Sequence, residues 1–138
     1  MTGFPVTPMI PVSWGEVIDK LAILEIKTQR LSARDALANV AKELSFLRDV
    51  AREVRDIREI ETLALRLKDI NASLWDAEEK VREKERAGVF DQEFITTARS
   101  IYAGNEERAK IKREINRVLG SGLVEEKNYQ TSRCAAGI

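Results

Sequence analysis

Apolar residues recur along the chain in steps of three and four, the period of helices that bury one face. The first series, Trp14, Val17, Leu21, Leu24, Thr28 and Leu31, follows Ser13 and Glu16, which form a Ser-x-x-Glu capping box. Val12 and Val17 stand where a hydrophobic staple would close over that start, so the pattern predicts a helix from Ser13 to about Leu31. A second series, Leu37, Val40, Leu44, Leu47, Ala51 and Val54, begins six residues after Leu31. In one continuous helix that offset would rotate the apolar face by roughly 120°. A break near Ser32 to Asp35 and an antiparallel hairpin are predicted instead. The third series is the most regular: Ile60, Leu63, Leu67, Ile70, Leu74, Ala77 and Val81. Its helix is expected from near Asp56 to Ala87, with Gly88 as a left-handed stop and a length of roughly 45 Å. Ile57 leaves open a direct passage from the second helix into the third. Asp91 is placed to cap a fourth helix, with Phe90 and Ile95 as its staple, and Gly120 ends it after Leu119. Gly104, midway along, predicts a kink or a close helix contact.

The breakers agree with this division. All three prolines, Pro5, Pro8 and Pro11, lie in the first eleven residues, and no glycine occurs between Gly15 and Gly88. Prolines at every third position favour an extended, polyproline-like arm. The predicted fold is therefore all-α, an antiparallel helical bundle of about four helices with one long helix and an extended N-terminal arm. Residues 1–12 form the arm, 13–130 the bundle domain, and 131–138 a disordered tail.

Composition narrows the chemistry. The 138 residues suit one domain, and 23 basic residues balance 23 acidic ones. Zero net charge argues against a general nucleic-acid binder or a protein held on anionic lipid. The chain has no histidine, which removes Ser-His-Asp and Cys-His catalysis, His-containing zinc sites and the Glu-x-x-His di-iron motif. The single Cys134 permits neither an internal disulfide nor a Cys-x-x-Cys motif. No apolar run approaches the roughly 20 residues of a membrane span, and the first residues do not read as a signal peptide. A soluble, cytoplasmic protein is expected, with no cofactor and no metal implied.

The fourth series departs from the others. It reads Ala98, Ile101, Asn105, Arg108, Lys112, Ile115 and Leu119, so three consecutive seam positions are polar or cationic. A charge buried there needs a partner, since an unpaired one costs several kcal/mol. Three answers are open. The face leaves the core and the long side chains snorkel to water; or Asp19 and Glu25 of the first helix, with Glu16 a turn earlier, form an internal salt-bridge layer that sets register; or Asn105, Arg108 and Lys112 bind an anion such as a carboxylate or phosphate. The acids Glu78, Glu79, Glu83 and Glu85 alternate with Lys80, Arg82, Lys84 and Arg86, which reads as a solvated, self-neutralising face rather than a Mg²⁺ site. Trp14 and Trp75 accompany seams and read as packing anchors.

The stretches SWGEVIDKLAILEIK, LWDAEEKVREKE, IYAGNEERAKIKREIN and GSGLVEEKNY resemble a bacterial family of small all-helical proteins classed as a domain of unknown function, family 6165. The resemblance spans Ser13 to Tyr129 and departs from the family pattern at Ala22 and Glu106, where that pattern has Thr and Asp. It implies no established activity. Carried onto this chain, its motif positions are Glu16, Asp19, Lys20, Glu25, Lys27, Asn105, Arg108, Lys112, Asn116, Glu125, Lys127 and Tyr129, and for the segment Glu125 to Tyr129 two expectations stay open, a cap folded back on the bundle or a solvated exit from the last helix. The segments IDKLAILEIKTQRL and DQEFITTARSIYAGNEERAKIK also resemble the first and last helices of all-helical chorismate mutases. That second resemblance implies a clamp for a dicarboxylate made by Arg30, Lys42, Arg108 and Lys112.

Together these features favour a non-catalytic interaction or scaffold module that self-associates or binds a protein partner. The rival expectation is a small-anion site or isomerase pocket between the first and fourth helices, built from Glu16, Asp19, Lys20, Glu25, Asn105, Arg108, Lys112 and Tyr129.

Overall fold

The computed structural model of the chain describes residues 6–122. Four helices follow one another: α1 (Trp14–Arg30), α2 (Arg34–Ala51), α3 (Arg58–Ala87) and α4 (Gln92–Leu119). Residues 6–12 precede them without regular structure, and the side chains of Val6, Met9, Ile10 and Val12 stand in solvent. The expectations placed on Glu125 to Tyr129 and on the tail at 131–138 lie outside the described residues.

Local chemistry accounts for most boundaries. Ser13, in extended backbone, accepts from the Glu16 N–H at 3.2 Å and starts α1. Only half of the expected capping box forms, because the Glu16 carboxylate turns to Lys112 instead. Asp91 caps α4 by accepting from the Phe94 N–H at 2.9 Å. Phe90 packs edge-on against Phe94, with ring centroids 5.2 Å apart, rather than over Ile95, which is exposed. Gly88 and Gly120 end α3 and α4 in left-handed backbone at φ 67° and 62°. Between α2 and α3 the chain makes a turn over residues 52–57, so the two helices are not continuous, and α3 begins at Arg58, two residues later than expected.

α1 is the hub. It packs against α2, α3 and α4, whereas α2 meets neither α3 nor α4. Eight of its 17 residues are buried, and Leu21 and Leu24 join Leu44, Ile60, Leu67, Ile111 and Ile115 in the core. Each fully buried Leu or Ile there contributes roughly 1.5–3 kcal/mol of transfer free energy. α3 and α4 form a long antiparallel hairpin, about 45 Å and 42 Å from their 30 and 28 residues. α1 reaches only about 25 Å along it with 17 residues. The Arg30 guanidinium ends that reach with an ion pair to Asp76 and a position 6.0 Å from the centre of the Trp75 ring. Beyond Trp75 on α3, and before Asn105 on α4, no residue of the hairpin is buried.

The close contact expected at Gly104 is present. A Cβ there would sit 2.7 Å from Leu74 Cδ2, so the missing side chain lets α4 approach α3 closely. Gly15 is tighter: its Cβ would lie 2.5 Å from the Lys112 carbonyl oxygen, bringing α1 against the backbone of α4.

Candidate functional site

The polar residues of α4 are answered from inside the chain. Asp19, 2% exposed, sits on α1 facing both hairpin helices. Its carboxylate accepts from Arg108 side-on, with Nε 3.0 Å from Oδ1 and Nη2 2.6 Å from Oδ2. Asn71 Nδ2 of α3 donates to Oδ1 at 2.8 Å, and Lys112 Nζ lies 3.9 Å from Oδ2. Lys112 also forms an ion pair with Glu16. One buried carboxylate thereby joins α1, α3 and α4, and its charge is met by a bidentate guanidinium, the strongest pairing available to it.

A turn closer to the start of α1 the same pair of helices is joined through backbone. The Gly15 N–H donates to Asn116 Oδ1 at 2.7 Å, and the Trp14 N–H donates to Ser121 Oγ at 2.9 Å. The first N–H groups of a helix have no partner within it; here α4 and the residue pair after it supply two acceptors. The absence of a Cβ at Gly15 is what permits Asn116 to reach that amide.

These distances decide between the first two readings of the α4 seam, snorkelling and an internal salt-bridge layer. Lys112 does not snorkel, since its side chain is only 8% exposed, and the internal salt-bridge layer is what forms. Two expected members are missing from it. Glu25 points to α2, where Arg48 lies 3.7 Å away, and lines a separate cleft of about 130 Å³ with Arg55 and Lys68. Lys20 is exposed and pairs with Glu43 of α2 at 3.1 Å. Asn105 is half-buried one turn from Arg108, and Tyr129 lies outside the described residues. Nor do the four cations of the clamp converge, because Arg30 pairs with Asp76 and Lys42 is exposed on α2.

Asn71 is the residue that sequence reasoning passed over. The third series was followed through Ile70, three after Leu67, but Asn71 is four after Leu67 and three before Leu74, so it fits the seam equally well. A polar residue at a buried seam position was the available signal. The layer carries two negative and two positive charges, Glu16 and Asp19 against Arg108 and Lys112, and is neutral as a unit. Beside it, Asn71, Trp75, Glu78 and Arg108 share a cleft of about 200 Å³ with Ile23, Ile26 and Leu74.

At the opposite end of the hairpin the charged run of α3 is tied to the first turn of α4. Lys84 Nζ is 2.9 Å from Glu93 and 3.1 Å from Asp91, and Lys80 is 2.6 Å from Glu93. The Glu93 and Asp91 hydrogen bonds raise the Lys84 pKa. The Phe94 N–H and then Lys84 lower that of Asp91, and Lys80 and then Lys84 lower that of Glu93. Among the described residues no group of acidic or sulfur side chains has the arrangement of a metal site.

Over the described residues fold and site define an all-α protein, four helices of which the first is locked to a long hairpin through a buried ion-pair layer. The chain belongs to the family of unknown function DUF6165, whose family model matches residues 9–137. Comparison with curated proteins gave no match, and neither did comparison with solved structures. Among the described residues no helix is long and apolar enough to cross a membrane.

Proposed function

We propose that the protein is a helical assembly module, in which the ion-pair layer holds the α3–α4 hairpin rigid and the outer part of that hairpin presents a surface for self-association. The observation that carries this reading is the mismatch of lengths. α1 stops at Arg30, opposite Trp75 and Asp76, while the hairpin continues through residues 77–104 with no buried residue. Val89, Phe90, Ile95 and Tyr102 on this extension are all exposed. Two helices alone bury little, and helices draw most of their stability from packing one face on a partner. A projecting pair with exposed aromatic and aliphatic side chains therefore gains stability when something covers it.

The polar layer supports the same reading. A satisfied buried ion pair contributes modestly to stability compared with apolar packing, and its best-attested use is to set register between helices. Sedimentation equilibrium of the full chain across a hundredfold range of concentration is the direct test. A mass that rises with concentration is expected; a monomer throughout overturns the proposal.

The cleft beside Arg108 favours a second reading, a site for a small anionic ligand at the junction of α1, α3 and α4. In that case a carboxylate or phosphate compound raises the melting temperature of the wild type, and Arg108→Ala abolishes the shift. No shift with any anion counts against it.

A further inference from the structure

The outer face of α4 carries a seam of its own. Ile95, Arg99, Tyr102, Glu106 and Ala109 follow steps of four and three, the spacing of a face that meets another helix. These positions lie opposite the side that packs on α3 and α1, where Gly104, Arg108, Ile111 and Ile115 are found. The first three positions of the seam are open to solvent, Tyr102 being 73% and Ile95 40% exposed and Arg99 exposed, while Glu106 and Ala109 are half-buried. Nearby charges are matched within the chain, Lys80 with Glu93 and Arg66 with Glu107. Among the described residues Arg99 and Glu106 have no ion-pair partner.

From this pattern we infer that α4 pairs with α4 of a second copy, antiparallel, about a two-fold axis beside Tyr102. The inference rests on the assembly reading above and names its surface. The charge order selects the occupant. A cation lies three residues before Tyr102 and an anion four after it, so a second copy turned end for end brings each Arg99 within one residue, about 1.5 Å along the axis, of the other copy's Glu106. The same rotation brings the two Tyr102 rings together at the axis and places each Ile95 beside the other's Ala109, a large side chain against a small one. A parallel pairing would instead stack Arg99 on Arg99 and Glu106 on Glu106, which is repulsive. The contact runs about 21 Å along the helix, short for a protein interface, so the dimer is a weak one that forms at high concentration.

Charge reversal tests it. Sedimentation equilibrium is measured on the wild type, Arg99→Glu, Glu106→Arg and the double variant, with helix content checked by circular dichroism. Each single reversal places like charges together twice in the dimer and is expected to raise the dissociation constant at least tenfold, about the effect of one close charge pair. The double reversal restores opposite charges and is expected to return it to near the wild-type value. If the wild type associates and the single reversals associate equally well, this surface is wrong while the assembly reading stands. If the wild type remains monomeric at every concentration, both are wrong.

Discussion

Replacing Asp19 by alanine removes the carboxylate on which three helices converge, and the structure sets the scale of the loss. Asn71, 6% exposed, is left with a buried amide donor without its acceptor, which costs about 1–3 kcal/mol. Arg108 loses two charge-assisted hydrogen bonds, but its side chain is 28% exposed and can turn part of its charge to water. The sum falls at the lower end of the roughly 3–5 kcal/mol typical of breaking a buried pair, about 3 kcal/mol. Against a total stability of about 5–15 kcal/mol for a domain this is a large fraction. Arg108→Ala is expected to cost about as much, because Asp19 is far more deeply buried than Arg108 and keeps only the Asn71 amide and the more distant Lys112. Urea unfolding followed by circular dichroism measures both, and the double variant closes a thermodynamic cycle. A coupling of at least about 1 kcal/mol is expected, since each single variant already forfeits the shared interaction. The reasoning is refuted if Asp19→Ala shifts stability by less than about 0.5 kcal/mol, the range of an ordinary surface change, or if the two single effects simply add.

Four further outcomes follow from the geometry. Gly15→Ala forces α1 away from the Lys112 carbonyl and should cost about 2–3 kcal/mol, read as a fall in melting temperature. Gly104→Ala meets the Leu74 side chain at Cδ2 and Cγ, which must shift but is not backbone, and gains about 1 kcal/mol of helix propensity, so its net effect should be the smaller of the two. Asp91 and Glu93 are held below their ordinary values of 3.8 and 4.5, so the stability they add to the hairpin turn is present above those values and lost as pH falls through the lowered ones. Protection factors of residues 92–96, corrected for the intrinsic exchange rate at each pH, should therefore fall on acidification before those of residues 111–116 do. At neutral pH and low concentration, amides of residues 77–87 and 92–103 should exchange faster than those of residues 60–74 and 108–119, because α1 covers only the latter; equal protection would show that the extension is stable alone.

Much of the fold was legible because local rules and burial agreed. Ser13, Asp91, Gly88 and Gly120 are side chains or backbone positions whose preferences act within a few residues, and they stopped and started helices where the pattern placed them. The turn at residues 52–57 was harder to read because it contains neither glycine nor proline, and Ile57 caps α3 without a side-chain hydrogen bond. Asn105, Arg108 and Lys112 announced themselves by occupying a seam. Which of the first helix's acids would answer Arg108 and Lys112 did not follow, because Glu16, Asp19 and Glu25 all lie within three turns of one helix, and only the first two do.

The sequence by itself determined that the chain is built of amphipathic helices, about four of them, with starts at Ser13 and Asp91 and stops at Gly88 and Gly120, and that any α4 charge buried in its seam needs an answer, since period, capping and desolvation cost are properties of short segments. Only the tertiary structure decided which charge meets which. The rotation of α1 between α2 and the hairpin turns Asp19 inward to Arg108 and Asn71 and turns Lys20 and Glu25 to the α2 side, a difference of one helix face that no spacing encodes. It also decided that α1, anchored at Ser121 and Asn116 through the bare backbone of Gly15, ends beside Asp76 and leaves the rest of the hairpin projecting. Where a helix of fixed length is anchored sets what it covers, and that is a matter of packing between segments far apart in the chain.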